Sequence, residues 1–165
     1  MIGPTLKVVK NFNPDLITNL KQRMKAATEK KVLVGLPAGR EYPNGTPVAL
    51  VGAVHQFGVP ERGIPERPWL TDGLKLGIPK FRPMNRENLR LVMNGQMTVD
   101  HALGMLGQLA TDEIKKDFFN NHWAPLAEST IRAYARRGSS QHTLLFDTGL
   151  MWNSISWLLS TEALK

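Results

Sequence analysis

The chain has no cysteine. That excludes disulfides, thiolate metal sites and cysteine nucleophiles. It fits a reducing compartment, or an assembly held together by packing. No apolar run approaches the ~20 residues of a membrane-spanning helix. The opening stretch, MIGPTLKVVKNFNPDL, lacks the apolar centre of a signal peptide. The expectation is a soluble product made in the cytoplasm, with no membrane partner.

The signatures of common chemistries are missing too. Four histidines occur, His55, His101, His122 and His142, and none forms an H-x-x-x-H pair or sits in a carboxylate cluster. There is no G-x-x-x-x-G-K-[ST] or G-x-G-x-x-G phosphate loop. There is no G-x-S-x-G nucleophile elbow. The neighbours Asp112-Glu113 and Asp100-His101 fall on a predicted helix, which turns adjacent residues to different faces. No enzyme activity, metal or cofactor is expected, and no residue is assigned a catalytic role.

What the chain does have is positive charge. It carries 21 basic against 14 acidic residues, a net +7. That points to an acidic partner, either nucleic acid or an acidic protein surface. The bases are scattered as Lys21/Arg23/Lys25/Lys30/Lys31, Lys80/Arg82/Arg86/Arg90 and Arg132/Arg136/Arg137. None is a run of five, so these read as solvated helix faces. A nucleic-acid-binding domain using these faces is the alternative function. A helix-turn-helix over 98–137 would use Arg132 and Arg136 on phosphates, but its linker FNNHWAPLAE is too long for the tight turn of that motif.

At 165 residues the chain is the size of one domain, read as 1–165. Asn13-Pro14-Asp15 is a helix start: capping Asn, proline in the first turn, then an acid near the positive end of the dipole. Leu16, Leu20, Met24 and Ala27 continue at helical spacing, so a helix is predicted over 14–29. KVLVGL at 31–36 reads as a strand. The segment 37–46 is a loop with an Asn44-Gly45 turn. Pro47 opens a second helix that Gly58 ends, apolar nearly all round at its start and so expected to be buried. Pro68 begins a third helix that should stop before Pro79, and 83–94 forms a separate basic helix. The longest helix is expected at about 98–119, capped by Thr98, with Gly104 and Gly107 inside it. Those glycines either admit another element closely or weaken the helix. A short helix at 127–137, a polar loop at 138–143 and a strand at 154–159 complete the chain. Few strands, placed early and at the end, predict an α+β domain whose two ends pair in one small antiparallel or mixed sheet.

The richest stretch is VHQFGVPERGIPERPWL, residues 54–70. It holds Pro60, Pro65 and Pro68 with Gly58 and Gly63. Proline fixes φ and glycine permits positive φ, so the 58–67 loop follows one irregular path. Such a loop suits docking better than catalysis. Arg67 lies between two prolines and is held extended, so its guanidinium can meet a carboxylate in bidentate fashion. Its partner is a neighbouring subunit, or Glu66, Asp72 or Asp147 of the same chain. Trp69 and Phe57 are core anchors of the loop or interface hot spots. Ile64 and Tyr42 are further interface candidates, Tyr42 on an exposed loop tip. Trp123 with Pro125 is expected to pack on the sheet. Asp147 is expected to cap a helix turn starting at Thr148 and Gly149.

The same stretch resembles the pattern "EFG…IP-x-RPFL" of the tail-completion and virion-morphogenesis proteins of long-tailed phages. WAPLAESTIR (123–132) is similar to their "W-x-PL…T" segment, and LLFDTGLMWNSI (144–155) to their "L-DTG-x-L-x-x-SI" ending. KVLVGLP (31–37) looks like their "V-x-VG-x-P" opening. The four stretches span 31–159 in the family's order. Gln56 departs from the usual Glu, Glu66 from a small residue, and Trp69 from Phe. The resemblance implies a structural protein of the head–tail neck with no enzymatic activity. It implies copies of itself in a ring, other neck, connector and tail-tube proteins as partners, and non-specific contact with genomic DNA in the lumen. Localisation would be the virion, after synthesis in the bacterial host cytoplasm.

Overall fold

A computed structural model describes residues 14–120, 122–136, 138 and 144–161. The Asn13 cap, Arg137, His142 and the loop 139–143 lie outside these residues.

Among the described residues six helices and two strands follow one another as α1 (Pro14–Glu29), β1 (Lys31–Gly35), α2 (Val48–Phe57), α3 (Trp69–Met93), α4 (Val99–Asp117), α5 (Glu128–Arg136), α6 (Leu150–Ser154) and β2 (Ser156–Ser160). Short 3₁₀ turns stand at Pro60–Arg62 and Phe118–Asn120. β1 and β2 form a two-stranded antiparallel sheet, with Lys31 opposite Ser160 and Gly35 opposite Ser156. An early and a late segment thus meet in one sheet, and the fold is α+β. β2 starts two residues later than expected, because the Leu150–Ser154 turn takes up Ser154.

The sheet lies on α4. Trp157 of β2 meets Gly104 and Gly107, and a Cβ on Gly107 would stand 2.6 Å from the indole Cδ2. The two mid-helix glycines therefore admit a tryptophan ring. Their helix-propensity cost, about 1 kcal/mol each, is offset by that packing. Thr98 caps α4 as expected, its hydroxyl accepting from the His101 amide at 3.2 Å.

The third helix departs from expectation. Pro79 and Pro83 do not break it, and α3 runs unbroken for 25 residues. It, not α4 with 19, is the longest helix among the described residues. Each proline removes a backbone donor and crowds the carbonyl four residues back. Close packing along α4 offsets that loss. At Gly73 the two helices approach so nearly that a Cβ would stand 2.6 Å from the Ile114 Cα. Tertiary packing overrides the local rule here.

The core gathers Val48 of α2, Trp69 of α3, Ile114 of α4, Phe118, Trp123, Leu144, Met151 and Ile155. Trp69 and Phe118 meet edge to face with centroids 5.7 Å apart, and Phe118 meets Trp123 at 6.2 Å. α2 is less buried than its composition suggested. Val48 is sealed, but Leu50 faces solvent.

Candidate docking cleft

Local geometry begins at Gly58, which ends α2 with φ +67°. A Cβ there would stand 2.7 Å from the Glu66 amide nitrogen and 2.9 Å from the Ile64 carbonyl. Only glycine serves, for backbone conformation and for space alike. The chain then closes a tight hairpin. The Val59 amide donates to the Ile64 carbonyl at 2.8 Å, and the Ile64 amide donates back at 3.1 Å. Gly63 turns the hairpin in the left-handed region. The Arg67 amide donates to the His55 carbonyl at 2.7 Å, which ties the far end of the loop to α2.

Gln56 joins loop and helix. Its Oε1 accepts from the Leu70 amide at 2.9 Å, and its Nε2 donates to the Thr71 hydroxyl at 3.0 Å. The N-terminal amides of a helix lack intrahelical partners. Pro68 makes no side-chain cap, so a residue from α2 satisfies one of the first amides of α3. Sequence reading missed this role. The available signal was a neutral amide two residues before the helix-ending Gly58.

Trp69 is the core anchor, and its Nε1 donates to the Gly52 carbonyl at 2.9 Å. Phe57 is not, being 75% exposed. Arg67 does not project from the loop. It is only 5% exposed. Its Nε donates to the Ala124 carbonyl and its Nη2 to the Pro125 carbonyl, both at 3.0 Å. The partner is neither Glu66 nor Asp72 but main chain from the WAPL stretch, 57 and 58 positions away. Trp123 has Phe118 and His122 as ring partners, neither of them in the sheet. Its Nε1 donates to Asp72 Oδ2 at 3.1 Å.

The cap at the next corner is also corrected. The N-cap of α6 is Gly149, at φ +72° and with no side-chain cap bond. The Leu150 amide donates to the Thr148 hydroxyl at 3.3 Å, so Thr148 takes the role assigned to Asp147. Leu145, in the same corner, holds φ +62°. A branched side chain there is strained by about 1–3 kcal/mol, and such strain collects at functional positions.

These pieces enclose one open cleft of about 600 Å³. Tyr42, Ile64, Arg67, Pro125, Asp147, Thr148 and Gly149, all singled out from sequence, line it. Phe57, Trp69 and Trp123 do not. Tyr42 is no free loop tip; it is half-buried and packs against the core. Burial raises its hydroxyl pKa, and Asp147 and then Tyr134 push it the same way. His55 stands in the wall with its Nδ1 buried and unpartnered. Burial, then the Arg67 charge, lowers the imidazole pKa, which favours the neutral ring. Burial also lowers the Arg67 pKa, while Tyr134 works in the other direction.

A second cluster lies apart from the cleft. His122 stands between Asp72 at 3.6 Å and Asp117 at 3.7 Å. Asp117 is fully buried; Asn120 donates to its Oδ1 at 2.6 Å, and its Oδ2 is unpartnered. Among the described residues no three acids, histidines or cysteines are grouped to hold a metal ion. None of their helices is long and apolar enough to cross a membrane.

The basic groups are partly engaged within the chain. Arg23 donates to the Met93 carbonyl at 2.9 Å. Lys30 pairs with Asp100, Lys80 with Glu113, and Arg90 with Glu87. Arg132 lies 3.9 Å from Glu128 on an exposed face of α5. Comparison with family models, with curated proteins and with solved structures finds no match for this chain.

Proposed function

We propose that this chain is a structural protein of the head–tail neck of a long-tailed phage, completing the tail or joining it to the head connector. In this reading it assembles in several copies, alongside other neck, connector and tail-tube proteins. It acts by docking and performs no reaction. One observation carries the proposal. Three stretches that resemble the phage proteins, far apart in sequence, converge on a single cleft and one core cluster. The 54–70 stretch supplies Arg67, the 123–132 stretch supplies the carbonyls that hold it, and the 144–155 stretch supplies the facing corner. Residues that resemble a family's motifs and also meet in space have a shared reason to occur together.

The test is genetic. Portal, capsid and tail-tube genes should flank this one, and deleting it from such a phage should leave heads and tails that fail to join. A metabolic gene neighbourhood, or normal particles after deletion, would sink the reading. The alternative, a nucleic-acid-binding domain, predicts a duplex mobility shift that weakens steeply with salt. Bases already committed to carbonyls and acids of the same chain reduce the charge left for phosphates.

A further inference from the structure

We propose that the cleft beside the 58–67 loop binds the carboxylate of an acidic peptide segment from a partner protein, with the Arg67 guanidinium as its anchor. The inference stands on the cleft itself and does not require that the protein belong to a virion.

A guanidinium carries five N–H donors. Arg67 uses two of them, on Ala124 and Pro125. Its Nη1 makes no hydrogen bond, yet it is not sealed from solvent, and the side chain lines the cleft. Among the described residues no carboxylate lies within ion-pair distance of it. Buried charges are normally paired, because an uncompensated one is costly to desolvate. Two carbonyls orient the fork and satisfy part of it, but they do not neutralise it. The free Nη edge is the half of the fork that carboxylates take in bidentate fashion.

The remaining wall fixes the kind of ligand. A space of about 600 Å³ is far larger than an inorganic anion requires. Val51, Ile64 and Leu126 give it apolar surface, and Asn44 and Thr130 add polar groups along its sides. An extended segment with one acid between apolar residues fits that combination. Asp147 also lines the cleft, but it forms no ion pair with Arg67. The net charge of +7 favours an acidic partner over a basic one.

The probe is a capped pentapeptide, acetyl-AVEVA-amide, titrated into the ¹⁵N-labelled full chain, with acetyl-AVQVA-amide as its neutral match. Expected are joint shifts of the Arg67 Nε–Hε signal and the Ile64, Leu126 and Thr148 amides. The glutamine peptide should bind at least about tenfold more weakly, as a lost charge-assisted hydrogen bond implies. Arg67→Lys should lose binding, but it also removes the two carbonyl bonds. Thr130→Glu is the second variant. It leaves those bonds alone and places a competing acid on the α5 wall, so it should abolish the shifts with the unfolding midpoint kept. Equal affinity for the two peptides would overturn the proposal. So would shifts confined to the basic faces of α1 and α3, or a Thr130→Glu protein that binds like the parent.

Discussion

The two ends of this molecule are built by opposite means. Around the cleft, segments distant in sequence are interlocked through side chains that bond main chain: Trp69 to Gly52, Arg67 to Ala124 and Pro125, Gln56 to Leu70. Helix α1 buries no residue at all. Its apolar stripe is open, with Leu16 67% and Met24 53% exposed. The helix is held through Arg23 on the Met93 carbonyl, and the Lys30 that follows it pairs with Asp100. An amphipathic period specifies a helix, but the period does not say that anything covers its face.

Substitutions on the two sides should separate sharply. Trp69→Ala should cost about 3–5 kcal/mol of stability in urea unfolding, since it removes a core ring together with its hydrogen bond to the Gly52 carbonyl. Leu20→Ala, on the open stripe, should stay within about 0.5 kcal/mol. Similar losses for both would mean that α1 is as integral as the cleft. Gly58→Ala should come next, at about 1–3 kcal/mol, with the hairpin amides of Val59 and Ile64 losing protection from hydrogen exchange. A neutral Gly58→Ala would show that the 58–67 loop is not pinned.

Arg23→Ala tests the other side. It removes one charged hydrogen bond to a helix-end carbonyl, so a loss of about 1.5 kcal/mol or less is expected. Exchange should quicken in α1 while the cleft amides hold their protection. Slackening at both ends together would argue against the division drawn here.

A pH series adds a finer contrast. The folded-state pKa of His55 lies below its unfolded value, near 6.5. The unfolded chain therefore takes up this proton first as pH falls. The His55 contribution is fully present above about pH 6.5 and is lost below it. Unfolding midpoints should fall as pH drops through 6 toward 5, and His55→Gln should flatten that slope. An unchanged slope would place the imidazole in solvent.

Much of this is legible in the sequence. The bounds of α1, the Thr98 cap, the Gly58 stop and the pairing of the chain ends all rest on local signals or strand composition. The continuity of α3 was not legible, because what carries a helix through Pro79 and Pro83 is packing on α4. Nor was the direction of Arg67. The prolines beside it fix its backbone, but the carbonyls that capture it come from Ala124 and Pro125, and no local rule joins positions so far apart. Asp147 misled for a related reason. Asp-Thr-Gly has the composition of a cap, and the choice between its two side chains depends on the positive φ at Gly149. Tyr42 looked like a loop tip, because the 144–151 corner that meets it comes about a hundred positions later.

The functional account turns on where the protein sits. A cryo-electron microscopy map of the assembled phage particle measures that directly. The account predicts several copies of this chain in a ring at the head–tail junction, each fitting the fold described above. A junction fully built from other chains, with this one absent, would contradict it.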